Sequence, residues 1–179
     1  MLGVKTMRCA AFVVAVLPGA AQAGSPWAGI WNLQAAYDLK ADGGHGAPYG
    51  QAPQGRMMVD DDGRYMIEIY GDTPLPFTAG VKARGTADEF RAAVMGSSVH
   101  YGRIETDTAT CTLVFHIERA AYPNWNGIAQ TRRYSYDDSV LSYSQPPAVD
   151  GSAPVTVWKR LTGGSAPSPR SGCLPSRDH

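Results

Sequence analysis

Four residues in the stretch AAYPNWNGIAQTRRYSY, numbers 120–136, have the types and spacing to do chemistry. Gln130, Arg132, Tyr134 and Tyr136 recur at every second position, so on a β-strand they share one face. A guanidinium offers a planar fork of N–H donors and a phenol adds an O–H, a combination suited to a carboxylate or another oxyanion. The opposite face, Thr131, Arg133 and Ser135, is more hydrophilic. The face with the two tyrosines has the larger apolar area and is expected to look inward. An arginine so placed needs an acid, carbonyls, water or an anionic ligand beside it, because burying an unpaired charge is costly.

Other residues could act with this face. His116 is the candidate proton carrier, since a neutral imidazole can accept or donate a proton. Alternation in TCTLVFHIE, however, sets Cys111, Leu113, Phe115 and Ile117 on one face and His116 with Thr112, Val114 and Glu118 on the other. That pattern favours the aliphatic face inside and His116 outside. Tyr101, Glu68 and Glu118 are further polar candidates, Tyr101 as a ligand contact. In YPNWNG, Pro123, Asn124 and Gly127 are turn formers, and Trp125 either plugs one end of the fold or touches a ligand. Met57, Met58 and Met66 read first as core and second as an adaptable lining. His45, His100, His116 and His179 are scattered and no C-x-x-C occurs, so no metal site is expected. G-x-S-x-G and a phosphate-binding loop are absent, and no cofactor is expected.

The elements that must position these side chains are short alternating runs separated by turn chemistry. Strands are expected near 29–38, in RMMVD, RYMIEIY, SVHYGRIET, TCTLVFHIE, QTRRYSY and SVLSYSQ, and in VTVWKRL. DDG joins the second to the third as a hairpin. One helix is expected near 87–96, where Thr86 and Glu89 fit a capping box and Phe90, Ala93 and Val94 form a short apolar stripe. Eight strands mostly joined by short turns predict an all-β, up-and-down antiparallel barrel, wide enough for one small ligand. A two-sheet sandwich is the competing architecture, and it would leave edges to protect.

The 179-residue chain suffices for one domain, with 16 basic and 16 acidic residues. Lys5 and Arg8, the apolar run CAAFVVAVLPGA and the small residues Ala21 to Ala23 read as a cleavable secretory signal over 1–23. The run of about 12 residues is short of the ~20 that span a bilayer. Cleavage after Ala23 removes Lys5 and Arg8, leaving 14 basic against 16 acidic residues. An exported protein, periplasmic or secreted, is expected, with no membrane span after signal removal. A near-neutral chain without a basic run argues against nucleic acid. The barrel is expected over 25–161, and 162–179 as a flexible Gly/Pro/Ser-rich tail. Cys111 and Cys173 remain in the mature chain, and either they pair or both stay free.

Several blocks carry a resemblance. AGIWNLQ has G-x-W at Gly29 and Trp31, similar to the lipocalin signature. PYGQAPQGRMMVDDDGRYM, the Tyr-Gly pair of VHYGRIETD, HIERAAYPNWNGIAQTRRY and the closing VTVWKRL resemble, in order, the lipocalin-like domain family over roughly 28–161. The resemblance implies a calycin-type barrel and a small apolar ligand. It also implies that Arg160, on the last strand, covers Trp31 and closes one end. Relatives often carry two adjacent histidines where this chain has Phe115 and His116, so a role needing both is not expected here.

These readings converge on an exported barrel that binds a small, mainly apolar molecule, anionic at one end, with no protein partner expected. One alternative is a cofactor-independent isomerase or cyclase using His116, Arg132 and a tyrosine. The other is a structural barrel filled by its own side chains.

Overall fold

The computed structural model describes residues 24–137, 139–162 and Cys173. The expected signal over 1–23 lies outside the described residues. So does the expected tail, apart from Cys173 and Thr162, the last residue of the final strand.

Among the described residues nine strands occur: β1 (Gly29–Leu39), β2 (His45–Gly46), β3 (Gln54–Val59), β4 (Arg64–Tyr70), β5 (Ser97–Asp107), β6 (Thr112–Ala120), β7 (Ala129–Asp137), β8 (Val140–Ser144) and β9 (Ala153–Thr162). All neighbours are antiparallel, in the order β2-β1-β3-β4-β5-β6-β7-β8-β9, and β1 also pairs with β9. That pairing closes eight long strands into a barrel and removes the edges a sandwich would expose. The extra strand, β2, is a two-residue pairing on the end of β1, too short to show as alternation. The helix α1 (Ala87–Met95) has its capping box: the Thr86 hydroxyl accepts from the Glu89 amide and the Glu89 carboxylate accepts from the Thr86 amide at 2.7 Å. No residue of α1 is buried, so the helix lies outside the core.

Two local departures decide facing. In β1 a bulge between Leu33 and Ala35 shifts the alternation, so Ala36 is buried and Tyr37 instead stacks on His45 at 4.3 Å. A strict period of two had put Tyr37 with Trp31 and Leu33; an inserted residue reverses the face beyond it. In β5 the ladder to β6 slips between Tyr101 and Gly102. A Cβ on Gly102 would fall 1.9 Å from the His116 carbonyl oxygen, so only glycine fits that approach. Of the three methionines expected as core, Met57 is fully buried while Met58 and Met66 are about half exposed. Met57 and Met58 are adjacent and must point oppositely, and Met66 pairs directly with Met58 on the outer face.

One end of the barrel is packed shut. Trp27 and Trp31 lie 6.2 Å apart, and the Trp31 indole N–H donates to the Trp27 carbonyl at 2.8 Å. The Trp27 indole N–H donates to the Thr106 hydroxyl at 2.8 Å. Arg160 sits over Trp31 at 4.3 Å, and its two Nη groups donate to the carbonyls of Ala28 (3.0 Å) and Pro26 (2.6 Å). The stacking contributes about 0.5–2 kcal/mol. Gly29, with φ of +132°, supplies the backbone bend that brings Trp27 and Trp31 together across it. This is the closure the G-x-W resemblance implied. Cys111 and Cys173 are joined by a disulfide with Cα atoms 5.5 Å apart, and Cys173 packs into the same core.

Candidate functional site

The strands run alternately between the packed end and an open end. Open-end connections are the loops after β1, β4, β6 and β8, and they include the 3-10 turn Pro123–Trp125. Below, Leu113, Leu141, Met57 and Trp158 fill the lumen, none more than marginally exposed. Above them a cavity of about 60 Å³ remains, lined among others by Arg132, His100, Trp125, Tyr49, Tyr143 and Asp38.

Arg132 is 5 % exposed and points inward from β7. Its guanidinium carbon lies 4.9 Å from the centre of the Phe115 ring and 5.1 Å from that of Tyr143. Nη2 donates to the Gln130 side-chain oxygen at 2.6 Å, whereas Nε is buried with no hydrogen-bond partner. Among the described residues no carboxylate lies within ion-pair distance of Arg132; the ion pair found there joins His116 and Glu105. Asp38 shares the cavity without reaching the guanidinium that closely. The site is therefore a buried cation held by two aromatic faces and one amide oxygen, an arrangement that favours an arriving anion.

His100, on β5, is 3 % exposed and lines the same cavity. Its Nδ1 is 2.8 Å from the Tyr65 hydroxyl. The rings of Tyr65 (5.4 Å), Phe115 (6.3 Å) and Trp125 (5.9 Å) meet it edge to face. Burial, and secondarily the charge of Arg132, pull its pKa from 6.5 down to about 3. Burial pushes the phenols of Tyr65, Tyr49 and Tyr143 above their ordinary value, so all are neutral donors and acceptors. The Tyr143 oxygen accepts from the Trp158 indole N–H at 3.0 Å.

The structure brings together three of the residues expected to bind a ligand: Arg132, Gln130 at its side, and Trp125 at the open end. The remaining expectations are corrected. Tyr134 and Tyr136 share Arg132's face but belong to the packed end, at 5.2 and 5.5 Å from the Trp27 ring. Each residue of a strand advances about 3.3 Å, so Tyr136 lies about 13 Å deeper than Arg132. Tyr101 is 43 % exposed on the outer face, because His100, Gly102 and Ile104 take the inner one. His116, the catalytic candidate, is outside, as the alternation of its strand favours, with Nε2 3.1 Å from a Glu105 carboxylate oxygen, because Leu113, Phe115 and Ile117 fill the inside. It cannot serve chemistry in the lumen.

Sequence reasoning missed His100, Tyr65, Tyr49, Tyr143 and Asp38. A signal for His100 was present: alternation in SVHYGRIET groups it with Gly102 and Ile104, against Tyr101, Arg103 and Glu105. The second face is the one that belongs in water.

The model of a family described as a lipocalin-like domain matches residues 28–161 of this chain. Among solved structures the chain is similar to a de novo designed, fluorescence-activating β-barrel. The two are 12 % identical, with 78 % of this chain and 97 % of that chain covered and a TM-score of 0.39. No curated protein matches the chain.

Proposed function

Because the chain belongs to the lipocalin-like domain family, we propose that its barrel takes a small molecule by the open end and holds an anionic or strongly polar group of it at Arg132. The observation that carries this reading is the guanidinium buried without a carboxylate partner. A bound carboxylate supplies the missing counter-charge and accepts donors that Gln130 leaves free. Size limits the guest. A cavity of about 60 Å³ is well below the ~300–1,000 Å³ of pockets that enclose drug-sized ligands. The polar head therefore sits innermost, and apolar parts are short or lie at the mouth beside Trp125 and Tyr49. We propose further that this binding takes place after export. The disulfide supports an oxidising compartment, and N-terminal sequencing of protein recovered from the host should read from Gly24. An intact Met1 in exported protein would overturn cleavage.

The packed lower lumen favours a second reading, a barrel filled by its own side chains with no guest. Arg132→Met separates the two. It keeps much of the volume but removes the charge and every donor. Affinity for a short carboxylate such as hexanoate should fall tenfold to a hundredfold, or about 1.5–3 kcal/mol, the scale of a hydrogen bond to a charged group. The fold should survive, since an apolar isostere in place of a buried charge is often neutral or stabilising. Arg133→Met, one residue along and exposed, should leave binding unchanged. Calorimetry with hexanoate and its methyl ester makes the comparison. If neither compound binds wild type, the filled-barrel reading replaces the binding one.

A further inference from the structure

We propose that His100, positioned by Tyr65, is the proton acceptor for a small oxo acid whose carboxylate is held by Arg132, so that the barrel catalyses enolisation next to the carbonyl. This rests on the anion site at Arg132 and goes beyond binding.

The geometry is specific. His100 and Arg132 project into one cavity from β5 and β7, with Phe115 of β6 between them, edge to face with the imidazole and under the guanidinium. Three aromatic rings and the 2.8 Å contact of Nδ1 with the Tyr65 oxygen fix the ring plane. In the tautomer that carries its hydrogen on Nδ1, that hydrogen is donated to Tyr65, and Nε2 keeps a lone pair on a ring that lines the cavity. A core histidine with a purely structural role needs neither a cavity nor a neighbouring cation. Here both are present, and the cation is where negative charge would develop.

The step balances without a cofactor. Nε2 takes a proton from the carbon beside the carbonyl, and the C–H electron pair becomes the C=C bond. The carbonyl π pair moves to oxygen, giving an enolate whose charge the Arg132 donors receive. Return of a proton from Nε2 to carbon restores the acid, or delivery to a different atom completes an isomerisation. Without a ligand, burial and Arg132 keep His100 a weak base. A carboxylate on Arg132 offsets the smaller of these two causes and so raises the basicity of Nε2, while burial, the larger, stays. The other titratable groups facing the pair are Tyr49, Tyr143 and Asp38 in the cavity, with Glu118 acting on Tyr65 through space. Tyr65 touches no substrate and is a positioning residue.

The experiment uses the oxidised chain, with 2-oxobutyrate as the probe in deuterium oxide. Proton NMR follows loss of the C3 hydrogens, and calorimetry measures binding of the same acid. Wild type should exchange at least about a hundredfold faster than buffer, the low end of what a positioned base contributes. His100→Gln should bind 2-oxobutyrate within about threefold of wild type yet exchange at the buffer rate; His100→Asn is the second variant should the first not fold. Arg132→Met should lose both binding and exchange. Tyr65→Phe should keep binding, slow exchange and displace its pH profile, which a merely structural loss would not do. Binding that depends on Arg132 without exchange above buffer overturns the activity and leaves the binding site standing. No binding by wild type removes both. Exchange by His100→Gln at the wild-type rate overturns the role of His100.

Discussion

Between pH 6.5 and 4.5 the protein is expected to lose about 2–3 kcal/mol of stability that His100→Gln does not lose. The cause is the buried, neutral imidazole. Its pKa in the fold is about 3 against an ordinary 6.5, chiefly from burial and then from the Arg132 charge. Above pH 6.5 both the folded and unfolded chains leave this histidine neutral, and it contributes no pH dependence. As pH falls below 6.5 the unfolded chain takes up a proton that the folded chain refuses, so unfolding gains about 1.4 kcal/mol per pH unit. The loss accumulates until the fold itself protonates His100 near pH 3, on the order of 4–5 kcal/mol in all. Carboxylates add their own acid sensitivity lower down. Hydrogen bonds from the Thr78 and Thr86 amides hold Glu89 at about 2, and hydrogen bonds likewise lower Asp72, Asp107 and Asp150. A folded carboxylate with a depressed pKa loses stability as pH falls through its unfolded value near 4 and below, and the comparison with His100→Gln, which keeps the same carboxylates, isolates the histidine. Urea unfolding at pH 6.5, 5.5 and 4.5, compared as slopes for wild type and His100→Gln, gives the answer. Equal slopes would mean that His100 is protonated in the fold or is not buried as described.

Removal of the disulfide should cost roughly 2–4 kcal/mol at neutral pH, the upper figure being the chain-entropy value for a loop of 62 residues. The bond ties Cys173 to the turn before β6, at Cys111, where the backbone is left-handed with φ of +54°. The Cys173 carbonyl also accepts from the Tyr136 amide at 2.9 Å, and its side chain joins the core at the packed end. Reduction therefore releases Cys173 from Cys111 at the packed end, opposite Arg132. Cys173→Ser should lower the urea midpoint with little change in hexanoate affinity per folded molecule. Equal unfolding midpoints for oxidised and reduced wild type would show that the bond does not stabilise the fold. A loss of affinity in a folded Cys173→Ser variant would show that the two ends are coupled.

The barrel was legible in the sequence because strand, turn and capping signals are local. Alternation located the eight long strands of the described residues, DDG marked a hairpin, and Thr86 with Glu89 marked the start of α1. The facing of β7 was legible too, since Arg132 is buried while Thr131 and Arg133 are exposed. Facing failed where period two is broken. The β1 bulge reverses Ala36 and Tyr37, and nothing in GIWNLQAAYDL announces an inserted residue.

By itself, then, the sequence pointed to an all-β barrel, its order of strands and an inward arginine, while the closing pair Trp31 and Arg160 came from the family resemblance. What it did not contain is depth and company. Arg132, Tyr134 and Tyr136 are equivalent by parity, but the strand carries the tyrosines to the packed end and leaves the arginine at the cavity. His100 meets Tyr65 across 35 positions of sequence and Arg132 across 32, a neighbourhood set by registers between β4, β5, β6 and β7. Alternation already favours His116 outside and groups His100 with Gly102 and Ile104, but only tertiary structure set His100 beside Tyr65 in the cavity that Arg132 lines. Burial is a property of the closed barrel: the same side chain on either face has the same local sequence signature, and water is excluded from one face only when β1 meets β9.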